Sequence, residues 1–240
     1  KIVGLELLLI FFFTVNGAYV TITVPSSPVL QYIGLLPLAV GVCIYFVKKG
    51  KWNNYFSVKK LKPIKTTLFL SSPLLLVLLI VFIGNKGVNT VSLLDLFQMF
   101  IIQLFLIAFI EEVFFRGFML NVLLSKGYKK AVIISSFLFA ITHSLQLLGG
   151  QSLEDTILQI TYAFVVGMVL SLLIINNQSI IIAIAFHGLN NFFQFMGKDQ
   201  SSPILGYVLI GILITYFVYL WVRASNATDL NLNKSTDVEI

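Results

Sequence analysis

The stretch Ile110-Glu111-Glu112-Val113-Phe114-Phe115-Arg116-Gly117 decides the fold, because it places three ionisable side chains inside a mainly apolar segment from Leu96 to Leu124. A segment of this length and composition predicts a membrane-spanning helix. Inserting a charged side chain at the centre of a bilayer costs roughly 2.5–3.5 kcal/mol on insertion scales. Charged side chains at this depth therefore indicate a functional site. The alternative is that these groups only pack helices together.

Helical spacing separates the three groups. Glu112 and Arg116 are four residues apart and share a face of the helix, so we expect a buried ion pair between them. Glu111 lies about 100° around the helix from Glu112 and has no partner at helical spacing. This unpaired carboxylate is the candidate general base.

The composition of the 240-residue chain is that of a membrane protein. Hydrophobic residues make up 58% and charged residues 11%, whereas soluble domains are about 45–50% apolar. In such a chain, the formal charge of +6 reflects membrane orientation and lipid contact, and nucleic-acid binding is not implied. Cys43 is the only cysteine, which excludes an intramolecular disulfide and a thiolate metal cluster.

Hydropathy predicts an all-α fold, a polytopic transmembrane helix bundle of about eight spans. The predicted spans are 3–23, 29–47, 66–84, 94–124, 131–148, 156–175, 179–196 and 203–222. We expect one integral-membrane bundle at 1–223 with its motif-bearing core at 94–196. The polar, Asn-rich tail at 224–240 is expected to be disordered.

The basic residues predict the orientation of this bundle. If the N-terminus is cytosolic, eight spans put alternate loops inside, and these loops and the termini hold nearly all of the positive charge. The inside set is Lys1, Lys48, Lys49, Lys51, Lys59, Lys60, Lys62, Lys65, Lys126, Lys129, Lys130, Arg223 and Lys234. Only Lys86 and Lys198 fall outside. The sequence therefore predicts a multi-pass plasma-membrane protein with both termini, including the tail, in the cytosol.

The loop 48–65 combines many lysines with Trp52, Tyr55 and Phe56. Such a mixture also occurs in nucleic-acid-binding patches, but beside a membrane helix it is typical of contact with anionic lipid headgroups. We expect membrane lipid, and no nucleic acid, as the partner of this loop.

The two histidines, His143 and His187, both fall inside predicted spans. Phe139 lies one turn before the first, and Asn191 lies one turn after the second on the same face. At 1.5 Å per residue, Glu111, His143 and His187 lie about 21, 20 and 14 Å from the cytosolic ends of their helices. Each residue alone has an ordinary packing explanation, but the set favours a reaction site near mid-membrane.

This set of side chains fits hydrolysis of a peptide bond by activated water. Glu111 can take a proton from water, and His143 can orient that water or shuttle the proton. His187 with Asn191 can donate hydrogen bonds to the developing oxyanion. Glu111, His143 and His187 could equally form a His₂Glu zinc site that activates a bound water. The residues leave both mechanisms open.

Three motifs carry a family resemblance: Glu111-Glu112-x-x-x-Arg116, Phe139-x-x-x-His143 and His187-x-x-x-Asn191. In order and type they resemble those of the CAAX protease and bacteriocin-processing family of intramembrane proteases, also called the abortive-infection family. The resemblance implies a bundle of about eight spans with a cavity open toward the cytosol or inner leaflet. It implies catalytic roles for Glu111, His143, His187 and Asn191, and supporting roles for Glu112, Arg116 and Phe139. The family has been described as metal-dependent and as metal-free, so zinc stays an alternative cofactor.

The resemblance leaves the substrate class open. Eukaryotic members remove a tripeptide from prenylated C-termini, whereas bacterial members are linked to bacteriocin self-immunity, peptide-pheromone maturation and quorum signalling. Heavy use of Ile, Phe, Lys and Asn is typical of a low-GC bacterial protein. We therefore expect an endopeptidase that acts on a hydrophobic or membrane-anchored peptide, with a sensor kinase or other membrane protein as a further partner.

Two functions of other classes compete with this interpretation. A non-catalytic immunity or sensor-binding protein could hold a peptide or a partner helix in the same cavity. A proton-coupled transporter also uses buried Glu and His side chains. The sequence shows no inverted repeat of the kind that many transporters have, which disfavours the transporter.

Overall fold

A computed structural model of the protein shows a bundle of helices. It describes residues 1–49, 63–89, 92–198 and 203–236, with side chains as far as residue 226. Within these ranges the regular structure is helical, apart from one isolated β-bridge between Val88 and Gly197. The helices are α1 (Ile2–Thr23), α2 (Pro28–Gln31), α3 (Leu36–Lys49), α4 (Ile64–Gly84), α5 (Leu93–Lys126), α6 (Tyr128–Thr142), α7 (Leu153–Ile175), α8 (Ile180–Phe195) and α9 (Pro203–Thr236).

Six helices in the described part of the chain are long and apolar enough to cross a membrane. They are α1, α4, α5, α6 with its 3₁₀ extension His143–Gly149, α7 and α9. The predicted span 179–196 is the shorter apolar helix α8, and the predicted span 29–47 is divided into α2 and α3. The all-α, polytopic class is therefore confirmed. In the described part of the chain, six helices are long enough to span a membrane, whereas the sequence predicts about eight spans.

The break in the second predicted span is stabilised by a side chain of α1. A 3₁₀ turn at Ile33–Leu35 separates α2 from α3. The Asn16 amide donates to the carbonyl oxygen of Gln31 (2.9 Å) and accepts from the backbone N–H of Gly34 (3.0 Å). Because these bonds satisfy backbone groups at the break, the interruption is tolerated at membrane depth.

Helix α5 carries the ionisable stretch and is not uniformly α-helical. Its segments Gln103–Ala108 and Val113–Met119 are π-helical, and the turn Phe109–Glu112 between them is α-helical. Such wider turns occur frequently at functional sites. They rotate the helix face on either side of the two carboxylates relative to a straight α-helix.

Two apolar cores share helix α7. One core joins α4, α7, α8 and α9 around residues such as Val77, Val169 and Leu213. The other joins α1, α3, α5 and α6 around Phe46, Phe114 and Phe139, and Ala163 of α7 belongs to it. The carboxylates of α5 therefore lie in the second core, at its boundary with α8.

One end of the bundle collects the basic residues of several helices. Ile2 of α1 and Ile174 of α7 pack against Leu123 of α5 and Ala131 of α6, and Tyr128 and Ser225 form a hydrogen bond between their hydroxyl oxygens (2.7 Å). These contacts gather the helix ends that carry Lys1, Lys126, Lys129, Lys130 and Arg223.

The opposite end holds the predicted outside residues. The Asn85 amide at the end of α4 donates to the carbonyl oxygen of Phe193 in α8 (2.9 Å). The backbone N–H of Lys198 donates to the carbonyl oxygen of Asn85 (3.1 Å). The two ends of the bundle thus differ in charge as the sequence predicts. The lipid-contacting loop predicted at 48–65 lies mainly at 50–62, outside the described residues.

Helix α9 extends past Arg223 to Thr236. The sequence from 212 to 236 contains no glycine or proline to end the helix, and Ala224 is still buried in the core. Helix α9 therefore continues into the segment 224–240, and the disorder that the sequence predicts for this tail stays a prediction.

Close packing of α6 on α7 generates the first prediction. A Cβ atom at Gly167 would lie 2.9 Å from the Ser136 Cβ and 3.1 Å from its Cα. Because small residues allow membrane helices to approach closely, Gly167→Leu should push the helices apart and cost about 1–3 kcal/mol of stability. We expect a lower thermal unfolding temperature of the purified protein in detergent. The matched control is Gly211→Leu in α9, where a Cβ meets no atom within 4 Å; equal unfolding temperatures for the two variants would contradict the prediction.

Candidate active site

Helices α5, α6 and α8 bring the three sequence motifs together. The carboxylates come from the α-helical turn of α5 between its π-helical segments. His143 begins the 3₁₀ extension of α6, and His187 lies in the middle of α8. The Phe139 ring makes edge contacts with both imidazole rings, at centroid distances of 5.1 Å to His143 and 5.5 Å to His187. One aromatic side chain thus separates and orients the two histidines.

The predicted ion pair between Glu112 and Arg116 is confirmed. Arg116 Nη1 lies 3.0 Å from Glu112 Oε1, and both side chains are completely buried. The guanidinium carbon also lies 4.2 Å from the centroid of the Phe139 ring, which is a cation–π contact. The remaining polar atoms, Glu112 Oε2 and Arg116 Nε and Nη2, have no hydrogen-bond partner in the described structure. The pair is fully buried, and its two charges neutralise each other.

His187 links both carboxylates of α5. Its Nδ1–H donates to Glu112 Oε1 (2.8 Å), and its Nε2 lies 3.4 Å from Glu111 Oε2. His187 is buried, whereas the Glu111 side chain is 13% exposed. Helical spacing within α5 predicts the partner of Glu112 in that helix, but it cannot predict this contact from α8.

The four groups are electrically neutral when Glu111 and His187 share one proton. Glu112 and Arg116 cancel each other. The second pair is neutral whether the proton lies on His187 Nε2, giving carboxylate and imidazolium, or on Glu111, giving carboxylic acid and imidazole. Such a neutral arrangement avoids an uncompensated buried charge, which is costly.

His143 and Asn191 have polar atoms free for a ligand. The His143 Nδ1–H donates to the carbonyl oxygen of Phe139 (3.1 Å), which leaves Nε2 without a hydrogen bond among the described residues. The Asn191 side chain is partly exposed and makes no hydrogen bond there either. No hydrogen bond joins Asn191 to Glu111 in the described structure. The structure therefore brings Glu111, Phe139, His143 and His187 together, and Asn191 lies one turn beyond His187 on α8.

The alternative zinc set does not form a ready metal site. Among the described residues, no three His, Cys, Asp or Glu side chains are grouped to hold a metal ion. His187 Nδ1 binds Glu112, and His143 Nδ1 binds the Phe139 carbonyl.

Tyr162, Asn190 and Gly188 make contacts near His187 that the sequence motifs do not predict. The Tyr162 hydroxyl of α7 donates to Asn190 Oδ1 (2.8 Å), and Asn190 is 5% exposed. Asn190 shares a helix face with His187 at three-residue spacing, which was the only available signal. On the same helix, a Cβ at Gly188 would lie 2.8 Å from the Leu104 Cα, so glycine permits the close approach of α8 to α5.

The buried ion pair generates a stability prediction. Arg116→Met removes the cation and leaves Glu112 buried without it, which typically costs about 3–5 kcal/mol. We expect a strongly lowered unfolding temperature or loss of the folded protein during purification. Lys130→Met is the matched control, because Lys130 is exposed at the bundle end. If both variants unfold at the wild-type temperature, Arg116 does not neutralise a buried charge.

Comparison with known proteins connects this geometry to a family. The family model described as "Type II CAAX prenyl endopeptidase Rce1-like" matches residues 93–193. The matched segment runs from α5 to α8 and contains Glu111, His143, His187 and Asn191. No curated protein and no solved structure matches the chain. The family resemblance predicted from the motifs is confirmed over residues 93–193, where the chain is similar to the Rce1-like type II CAAX prenyl endopeptidases.

Proposed function

We propose that the protein is an intramembrane endopeptidase that hydrolyses a peptide bond in a hydrophobic or membrane-anchored peptide. The observation that carries this proposal is the contact of His187 with both Glu111 and Glu112 inside a bundle of apolar helices. A partly exposed carboxylate next to a buried proton carrier is the arrangement that water activation requires.

In the proposed reaction, Glu111 accepts a proton from a water molecule as the water oxygen attacks the carbonyl carbon of the scissile bond. His143 Nε2 accepts a hydrogen bond from the same water and orients it. The proton then passes to the amide nitrogen as the C–N bond breaks, so that a carboxylic acid and an amine leave. No side chain forms a covalent bond with the substrate.

The oxyanion of the tetrahedral intermediate is assigned to His187 and Asn191. The Asn191 amide N–H is free to donate, and His187 Nε2–H can turn its hydrogen bond from Glu111 to the oxyanion. Preorganised donors of this kind each contribute roughly 10²–10³-fold to rate. Glu112 supports the reaction because it fixes the ring of His187 through Nδ1. Arg116 and Phe139 in turn fix Glu112 and the two imidazoles.

The cellular setting is part of the same proposal. The basic end of the bundle supports a plasma-membrane orientation with both termini in the cytosol. The composition supports a bacterial source, and hence bacteriocin self-immunity or peptide-pheromone maturation rather than cleavage of a prenylated protein. A sensor kinase or another membrane protein would then be the partner that reads the product, and anionic lipid would contact the loop 48–65.

The decisive variant is Glu111→Gln, which keeps the size of the side chain and removes its ability to take a proton. We expect wild-type protein in detergent to cleave members of a quenched hydrophobic peptide library, and Glu111→Gln to lose at least about 10²-fold in kcat/KM. The control Glu154→Gln makes the same chemical change at an exposed position in the first turn of α7 and should retain full activity.

Three outcomes distinguish the mechanisms. Full activity of Glu111→Gln would contradict the proposal. Inhibition of the wild type by a chelator, reversed by added zinc, would replace the metal-free mechanism with the zinc alternative. Specific retention of a peptide by both the wild type and Glu111→Gln, without any cleavage, would favour the immunity or sensor-binding protein.

A further inference from the structure

An apolar groove opens on the surface of the bundle between α4 and α9. Its volume is about 430 Å³. The lining includes Phe69 and Pro73 of α4 and Ile212, Thr215, Tyr216 and Tyr219 of α9. Phe69 is 63% exposed and Tyr219 42% exposed, so the groove faces the surroundings of the bundle. It belongs to the core of α4, α7, α8 and α9, and none of its lining residues is in the candidate active site.

A proline inside α4 lines the groove. Pro73 has no N–H and cannot bond the carbonyl oxygen of Phe69. The Ser72 hydroxyl donates to that carbonyl oxygen instead (2.8 Å). The Tyr216 hydroxyl donates to the neighbouring carbonyl oxygen of Leu70. Since side chains of the protein donate to both carbonyl oxygens, the groove can receive an apolar group without leaving these acceptors unsatisfied.

Both helices place a positive charge at the same end of this groove. The Tyr216–Leu70 bond and the close packing of Leu205 on Gly84 show that α4 and α9 are antiparallel. Lys65 therefore lies one helical turn from Phe69, and Arg223 lies one helical turn from Tyr219. Both basic residues are displaced from the groove toward the basic end of the bundle.

The arginine reaches the groove itself. Arg223 Nη1 donates to the Tyr219 hydroxyl oxygen (3.3 Å), and Tyr219 lines the groove. The remaining guanidinium N–H groups are suited to bidentate binding of a phosphate.

We propose that this groove binds a membrane phospholipid with an anionic headgroup. One acyl chain fills the apolar groove beside Pro73, and the phosphate lies between Lys65 and Arg223. The two basic side chains lie toward the membrane surface and the apolar groove lies deeper. A phospholipid in the leaflet at the basic end of the bundle has its phosphate and its acyl chains in the same order. Lys65 is the last residue of the lysine-rich loop 48–65, whereas Arg223 and the groove lie outside that loop. The site does not depend on proteolytic activity.

The test compares an anionic lipid with a zwitterionic lipid on the 240-residue chain. Purified protein in a zwitterionic detergent is titrated with phosphatidylglycerol or with phosphatidylcholine of the same acyl chains, and the thermal unfolding temperature is followed. We expect saturable stabilisation by phosphatidylglycerol and retention of one such lipid in native mass spectrometry. Phosphatidylcholine should give neither. Equal effects of the two lipids would overturn the proposal.

Variants separate the headgroup from the acyl chain. Lys65→Gln and Arg223→Gln should each weaken the apparent affinity for phosphatidylglycerol about fivefold, the effect of one basic residue near a membrane surface. Lys126→Gln is the matched control, since it removes the same charge from an exposed position at the end of α5. Equal weakening by Lys126→Gln would show diffuse attraction and would contradict a site.

Filling the groove tests the acyl chain. Thr215→Phe keeps the charges and should abolish the stabilisation by phosphatidylglycerol; Ile212→Phe serves if the first variant does not fold. Unchanged stabilisation by lipid in a folded, groove-filled variant would show that the chain does not occupy the groove.

Discussion

The structure depends on the neutralisation of charge inside an apolar bundle. Glu112 meets Arg116 on its own helix and His187 on α8, and both side chains of the ion pair are fully buried. Neither charge reaches solvent, so moving α5 and α8 apart would leave a buried charge without its partner. The free-energy cost of that separation holds the helices of the cluster together. The position of α8 against α5 is therefore fixed by electrostatics as well as by apolar packing.

Backbone geometry places the second carboxylate differently from the first. The turn Phe109–Glu112 is α-helical, but the segments before and after it are π-helical. The Glu111 side chain is partly exposed and the Glu112 side chain is fully buried, although the two residues are consecutive. One carboxylate is thus available to water, and the other serves as a fixed negative charge that holds an imidazole. Close packing of Gly188 on Leu104 brings that imidazole within reach of both.

The sequence predicts the parts of this site that depend on local spacing. The Glu112–Arg116 pair follows from four-residue helical periodicity, and the gathering of basic residues at one end follows from their positions between apolar segments. The contact of His187 with Glu112 joins residues 75 positions apart, and no periodicity encodes it. The Tyr162–Asn190 bond is similar, because a tyrosine in an apolar helix has no sequence signal for its partner. The break before α3 depends on Asn16 of another helix, so hydropathy alone predicts one continuous span.

The length of α8 has a consequence for the membrane around the protein. Its 16 residues rise about 24 Å, less than the roughly 30 Å of an average hydrocarbon core. Ile181 and Phe195, near its two ends, are both more than half exposed, so lipid must adapt to this helix. A bilayer meets a short helix by local thinning, at a cost of fractions of a kcal/mol per Å of mismatch. Thinning of this kind beside α8 would shorten the distance between the headgroup region and Glu111, so that a bond deep in an undisturbed bilayer would come nearer to water.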